Sequence, residues 1–161
     1  MRRFLPTPAN ALRGGLTYGV GDTTAALLLD EFSWVRLLGI VAVGATLYAW
    51  EVPVAFRWIA RVVHGKPYRA MRSVLLAMAY FNPLWIARHL AIILLLSGQG
   101  ATIGAGLLLT AGKAFVGNLP IPLAANYVIH NKVPPHHRFL ASSCFSALMV
   151  VYYALSATWF G

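Results

Sequence analysis

The sequence is poor in charged residues, and above all in acidic ones. Only 11% of its 161 residues are Asp, Glu, Lys or Arg, whereas 59% are apolar, and the mean hydropathy is +0.68. A soluble domain carries about 25% charged and about 45–50% apolar residues. The chain has too few charges to cover a surface that faces water, so we expect it to lie in a lipid bilayer.

The scarcity of cysteine excludes a protein that is stabilised by a framework of internal disulfides. The single cysteine, Cys144, cannot form an internal disulfide framework. It stands beside Ser142 and Ser143, but a nucleophile needs a base that a third group orients, and this apolar stretch supplies neither. At roughly 20 apolar residues per span, the chain has room for about five or six spans and for no separate catalytic domain. We therefore expect a protein that is not an enzyme and carries no cofactor.

Long apolar stretches between short polar breaks are the main feature of what is present. They predict an all-α, polytopic transmembrane bundle that forms a single domain over residues 1–161. We place about five spans, near residues 9–29, 34–56, 73–97, 101–126 and 139–160. Small residues four apart let two helices approach closely in a bilayer. Gly15 and Gly19 have this spacing in the first span, and Gly100 and Gly104 have it at the start of the fourth.

Basic residues outnumber acidic ones, with 13 Lys and Arg against four Asp and Glu and a formal net charge of +9. Most of them fall in the predicted loops of one side and form what we call the basic collar: Arg57, Arg61, Lys66, Arg69, Arg72, Lys132 and Arg138. The positive-inside rule then predicts an N-terminus on the cytoplasmic or matrix side. Anionic lipid headgroups attract such residues by about 1 kcal/mol each, so we expect anionic lipid, and no nucleic acid, as their partner.

Ionisable residues also fall inside the predicted spans, where an unpaired charge is costly. They are Asp22, Glu51, Arg88, His89 and Lys113. Two acids and two permanent bases predict internal pairing, either Asp22 with Arg88 and Glu51 with Lys113, or the exchanged set. Two interpretations stay open. The pairs only orient helices, or these residues line a polar path through the bundle together with Asn82 and Asn126.

Three histidines, His130, His136 and His137, surround Val133-Pro134-Pro135 and raise the question of a metal site. Their spacing does not match the histidine boxes of membrane di-iron enzymes, and no carboxylate lies nearby in the sequence to complete a ligand shell. We therefore predict no metal centre and interpret the segment as a turn among lipid headgroups.

Several short motifs follow one another along the chain: Gly19-Val20-Gly21-Asp22, Asn118-Leu119-Pro120, and Val133-Pro134-Pro135-His136-His137-Arg138. Their order and composition resemble the Mpv-17 / 22-kilodalton peroxisomal membrane protein family, with its Gly-Asp signature and its Val-Pro-x-x-x-Arg before the last span. The sequence departs from the family at Ala77-Met78, where the family has Asp-Gln, and at Trp50-Glu51, where it has Trp-Tyr.

The resemblance implies a small multi-span protein, in the mitochondrial inner membrane first and in a peroxisomal or other membrane otherwise. It marks Asp22 as a polar group within the membrane and Arg138 as an anchor at the interface. Members of the family are described as channel-like, which implies passive passage of a solute or ion, or membrane homeostasis, by a homo-oligomer. The alternative is a non-catalytic accessory or structural subunit of a larger, respiratory-type membrane complex that binds anionic lipid such as cardiolipin.

Overall fold

The computed structural model describes the backbone of residues 6–81 and 83–160, and the side chains of these residues except 83, 84 and 153–160. The described residues form helices and turns and no β-strand, which confirms the predicted all-α class.

The first helices begin at capping residues that the sequence supplies. Helix α1 covers Pro8–Leu28 and begins after Thr7, whose hydroxyl accepts a hydrogen bond from the Asn10 N–H at 3.3 Å. Helix α2 covers Trp34–Val43 and begins after Ser33, which caps it in the same way. It continues through a π-helical turn, Gly44–Tyr48, into α3, Ala49–Val62. Trp34–Val62 is therefore one helix of 29 residues.

The remaining helices are α4, Arg69–Phe81; α5, Pro83–Leu96; α6, Ala105–Gly117; α7, Pro120–Asn131; and α8, Arg138–Phe160. A short 3-10 turn, Gly100–Thr102, precedes α6. The chain bends by 74° between α6 and α7. Pro120 explains where the break falls, because proline lacks the N–H that would continue the hydrogen bonding of α6 but suits the first position of a new helix.

Two of the described helices are long and apolar enough to cross a membrane: Trp34–Val62 and Arg69–Leu96. The bent pair α6 and α7 would be a third, so the chain fits an integral membrane protein, but the prediction of about five spans is not confirmed. Helix α1 has 21 residues, but Arg13, Asp22 and several Gly and Thr residues make it less apolar than a typical span. The predicted span 101–126 is divided at the bend, and the described apolar part of α8, Arg138–Tyr152, is shorter than a span.

The chain divides into two compact units. The first unit comprises the chain up to Pro53 and from Phe139 onward, and the second unit is Val54–Arg138. In the first unit, α1 crosses α2 and the π-helical turn where Gly14 faces Gly44. A Cβ atom on Gly44 would lie 2.6 Å from the carbonyl oxygen of Gly14, so only glycine allows this approach. The buried rings of Tyr18 and Tyr48 contact each other beside the crossing, with centroids 4.7 Å apart and planes tilted by 52°.

The four glycines predicted to pack helices lie in different surroundings. Gly15 and Gly19 face α2, where a Cβ on Gly19 would lie 2.7 Å from Cγ2 of Val41. Gly100 and Gly104 both precede the first residue of α6, and no described atom lies within 4 Å of a Cβ built on Gly104. The first pair therefore lies in a contact between two helices, and the second pair belongs to a turn.

In the second unit, α4 packs against α7 and α5 packs against α6. An aromatic cluster joins the pair of α4 and α7 to α3. The ring of Phe56 lies 5.8 Å from that of Phe81 and 4.9 Å from that of His130, measured between centroids. This cluster holds the middle of α3 against the C-terminal ends of α4 and α7.

Candidate functional site

A buried ion pair joins α1 to α2 in the first unit. The Nε and Nη2 atoms of Arg36 each donate a hydrogen bond of 2.9 Å to one carboxylate oxygen of Asp22. Only 1% of Asp22 and 3% of Arg36 is exposed. Nη1 of Arg36 also donates to Oε2 of Glu31 at 3.2 Å, but that carboxylate is 54% exposed. Arg36 therefore has two acidic partners, Asp22 buried beside it and Glu31 at the surface.

Arg36 was not among the predicted partners of Asp22. Both predicted pairings gave Asp22 to a later span, to Arg88 or to Lys113, and the structure corrects this half of each pairing, because Asp22 binds Arg36. Asp22 lies six residues before the last residue of α1, Arg36 lies two residues after the first residue of α2, and the two helices pack against each other. Helices joined by a short turn are neighbours in space. A basic residue in the helix that directly follows Asp22 was therefore the signal in the sequence.

The geometry of this pair limits what Asp22 can do. Both carboxylate oxygens accept a charge-assisted hydrogen bond from the same guanidinium, which is the strongest arrangement for these two groups. A buried carboxylate in this state has little capacity left to bind a passing cation. The main role of the pair is therefore to hold α1 and α2 together.

The other predicted in-membrane residues are divided between the two units. Glu51 lies in the first turn of α3 and belongs to the first unit, whereas Arg88, Lys113 and Asn126 belong to the second. The Arg88 guanidinium lies 4.5 Å from the ring centre of Trp85, a cation–π distance. Asn82 lies outside the described residues.

Asn126 is held within the second unit by contacts of its own. Its Nδ2 donates to the carbonyl oxygen of Pro122 at 2.8 Å and lies 3.6 Å from the sulfur of Met78. The amide thus satisfies a carbonyl one turn earlier in α7 and contacts α4. This is what a buried asparagine needs to be stable in a helix core.

Charge is distributed very unequally between the two units. The first unit contains four basic and four acidic residues, so it is formally neutral. The second unit, Val54–Arg138, contains nine basic residues and not one Asp or Glu, so it carries the whole net charge of +9. No cation in this unit can pair with a carboxylate of the same unit.

The basic collar lies entirely in the second unit, and tertiary contacts join two of its parts. Nδ2 of Asn131, at the end of α7, lies 3.5 Å from the carbonyl oxygen of Ala70 at the start of α4. Nε of Arg138 donates to the carbonyl oxygen of Val133 at 3.0 Å, which fixes the guanidinium. Burial, together with the neighbouring charge of Arg69, lowers the pKa of Arg138, so the two guanidiniums are close enough to repel each other.

The helix ends add to this positive potential. Arg69 is the first residue of α4 and Arg138 is the first residue of α8, and neither helix has an acidic residue in its first turn. The N-terminal end of a helix carries a partial positive charge, which favours anions and disfavours cations. Two arginines at two such ends therefore form a strongly positive surface. Six of the seven collar residues are exposed, and Arg138 is half-buried.

The histidines take different positions. His130 is buried, and its Nε2 atom has no hydrogen-bond partner among the described residues. His136 and His137 are exposed in the turn before α8, with ring centroids 4.0 Å apart. No three His, Cys, Asp or Glu side chains of the described residues lie close enough together to hold a metal ion.

These features define an all-helical protein with candidate membrane-spanning helices, in which one unit is neutral and the other is strongly basic. Comparison of the chain with protein-family models, with curated proteins and with solved structures finds no match.

Proposed function

We propose that the chain is a non-catalytic accessory or structural subunit of a larger membrane complex, and that anionic lipid binds its basic collar. The observation that carries the proposal is the second unit, in which nine basic residues meet no acidic one. Like charges placed together without counter-charges destabilise a fold by themselves, so an anionic ligand is needed to offset their repulsion.

The chemistry of the collar suits lipid phosphate. A guanidinium binds phosphate oxygens through two parallel hydrogen bonds, and the collar contains five arginines and two lysines. Each basic residue near an anionic surface contributes about 1 kcal/mol to binding. Arg69 and Arg138 are the strongest candidates, because they lie close together at helix ends that also favour anions.

The resemblance described above supports a more specific form of the proposal. We place the chain in the Mpv-17 / 22-kilodalton peroxisomal membrane protein family and in the mitochondrial inner membrane, with cardiolipin as the anionic lipid. Cardiolipin carries two phosphates, which fits a collar with several neighbouring guanidiniums. The closed Asp22–Arg36 pair favours a structural role over a channel, because it removes the best pore candidate from any polar path.

Lipid binding is tested with the purified protein and vesicles of defined composition. We expect tight binding of cardiolipin from mixed vesicles, weaker binding of phosphatidylglycerol and little of phosphatidylcholine, with binding reduced at high salt. In the double variant Arg69→Gln/Arg138→Gln, the loss of about 2 kcal/mol should weaken cardiolipin binding by roughly 30-fold. The matched control Arg13→Gln changes a basic residue of the first unit. Equal binding of phosphatidylcholine, or equal effects of the two variants, would contradict the proposal.

The subunit role is tested by mild detergent extraction and native electrophoresis of membranes. We expect the chain to migrate with a larger assembly. Migration as a monomer or small homo-oligomer in every mild detergent would refute this part and leave the lipid result standing.

A second candidate function is passive solute passage, and one observation favours it. The apolar pair α6 and α7 is bent by 74°, and transporters and channels use such broken helices to line a path. Reconstitution into vesicles with a trapped fluorescent solute tests this function. Release above that of empty vesicles would support passage, and no release from correctly folded protein would exclude it.

A further inference from the structure

Tyr68 is the most exposed large apolar side chain among the described residues, with 83% of its surface exposed. It lies in the second unit, directly before Arg69, the first residue of α4. Its backbone has a φ of +55° less one degree, that is +54°, in the left-handed region, which a bulky residue rarely adopts. Gly65 also has a positive φ, +68°, but glycine adopts it without strain because it has no Cβ. A tyrosine in this conformation needs another explanation.

The position of Tyr68 at the start of α4 makes tyrosine still less suitable for local reasons. Its carbonyl oxygen accepts a hydrogen bond from the N–H of Arg72 at 3.0 Å, so Tyr68 occupies the capping position of the helix. Asparagine and glycine are favoured at such a position, and they also tolerate the left-handed region. Strained residues persist where packing or function requires them, and an exposed side chain does not owe its conformation to packing. Function is therefore the better reason for Tyr68.

The surroundings of Tyr68 along the chain show which partner its ring suits. The nearby exposed residues are basic, apart from one apolar residue, and they are Lys66, Arg69, Arg72 and Met71. The whole second unit contains no Asp or Glu, so charge complementarity favours an anionic partner. Tyrosine is enriched where headgroups meet acyl chains, because its ring is apolar and its hydroxyl is polar. A ring among cations therefore fits the surface of an anionic lipid layer.

We propose that Tyr68 is the apolar anchor of the anionic-lipid site on the basic collar. Its ring enters the boundary between headgroups and acyl chains, beside the lipid phosphate that Arg69 binds. This inference rests on the proposed binding of anionic lipid and names the residue that adds an apolar contribution to it. The strained backbone lowers the stability of the fold, and it is retained because the exposed ring stabilises the bound lipid.

The first test identifies what lies against the side chain at position 68. Benzoylphenylalanine, a photoreactive aromatic amino acid, replaces Tyr68 in the full chain, which is reconstituted into phosphatidylcholine vesicles that contain a minor fraction of cardiolipin. The matched control replaces Trp34, an aromatic residue of the first unit that is 69% exposed and begins α2. After illumination, mass spectrometry identifies the molecule that is joined to each site.

We expect cardiolipin adducts at position 68 to exceed the mole fraction of cardiolipin by about 5-fold, the enrichment that one basic residue beside a phosphate provides. Adducts at position 34 should follow the composition of the vesicle. Adding Arg69→Gln/Arg138→Gln should remove the enrichment at position 68.

The second test compares stability with lipid binding. Tyr68→Asn suits both the left-handed backbone and the capping position, so it should raise the folding equilibrium constant by about 5-fold. The same variant should weaken cardiolipin binding by about 5-fold, because an aromatic ring is withdrawn from the lipid. Tyr68→Phe keeps the ring and should retain binding, and Trp34→Asn should change neither binding nor stability in this way. Circular dichroism during titration with sodium dodecyl sulfate measures the stability of each variant.

Adducts at position 68 with protein instead of lipid, or with lipids in proportion to the vesicle composition, would overturn the inference. So would unchanged cardiolipin binding by Tyr68→Asn, and so would loss of stability in that variant, which would make Tyr68 a packing residue. If Arg69→Gln/Arg138→Gln weakened binding and Tyr68→Asn did not, the inference would fail and the lipid-binding function would stand. If the wild-type protein showed no preference for anionic lipid, that function would fail, and the adducts at position 68 would decide the inference separately.

Discussion

Removing the charge of Asp22 is the most informative perturbation of the first unit. Asp22→Leu leaves Arg36 buried, with only the surface carboxylate of Glu31 within reach. Asp22 accepts two hydrogen bonds from the guanidinium at 2.9 Å. A hydrogen bond to a charged group contributes about 1.5–3 kcal/mol, and breaking a buried ion pair costs about 3–5 kcal/mol. We therefore expect Asp22→Leu to lower the free energy of unfolding by about 3–5 kcal/mol.

Glu31→Gln is the matched control, because it removes the second carboxylate that contacts the same guanidinium. Its side chain is 54% exposed, and exposed ion pairs contribute about 0–1 kcal/mol. The two acidic partners of Arg36 should therefore differ several-fold in their effect on stability. Burial is the cause of the difference, since the bond lengths differ by only a few tenths of an ångström.

The measurement is unfolding in mixed micelles by titration with sodium dodecyl sulfate, followed by circular dichroism. Asp22→Leu, Arg36→Met and the double variant complete a double-mutant cycle. The double variant should be more stable than either single variant, because it leaves no unpaired charge in the core. If Asp22→Leu lowered the free energy of unfolding no more than Glu31→Gln, or if the effects of the two single variants were additive, the pair would not hold α1 and α2 together as the structure indicates.

Two further predictions concern packing. Gly44→Ala should lower the free energy of unfolding by about 1–3 kcal/mol, because its Cβ would meet the carbonyl oxygen of Gly14. Gly112→Ala should be neutral or stabilise the protein by about 0.5–1 kcal/mol, because no described atom lies within 4 Å of a Cβ there. The same titration compares the two variants, and equal effects would contradict the close crossing of α1 and α2. His130→Phe should be neutral or stabilising, since it keeps the ring contact with Phe56 and removes a buried nitrogen that has no hydrogen-bond partner among the described residues. His130→Ala should lower the free energy of unfolding by about 2 kcal/mol or more. Thermal unfolding followed by circular dichroism measures both variants, and a strongly destabilising His130→Phe would show that the nitrogen is needed.

The sequence alone predicted the all-helical class and the membrane character, because both follow from composition and from the length of the apolar stretches. It located the two clearest spans to within several residues, 34–56 against Trp34–Val62 and 73–97 against Arg69–Leu96. The length of an apolar stretch does not show, however, whether the helix bends within it. The predicted span 101–126 was therefore drawn straight through Pro120, where the helix bends by 74°.

The basic collar was also visible in the sequence, because charge is counted without knowing the fold. Its division from the acidic residues was visible as well, since all four acids precede Val54. What the sequence could not give is the proximity of Arg69 to Arg138, which are far apart along the chain. Packing of α4 against α7 brings the loop before α8 to the start of α4.

The same contrast holds for the charges inside the apolar segments. Their identity and their cost in a bilayer follow from the sequence, because an unpaired charge is unfavourable wherever it lies in an apolar medium. Their partners depend on which helices are neighbours, and only the tertiary structure decides that. A turn and a glycine crossing bring Arg36 to Asp22, while α6 leaves Lys113 exposed in a unit without acids. Composition thus determined that charges must be neutralised, and helix packing determined where.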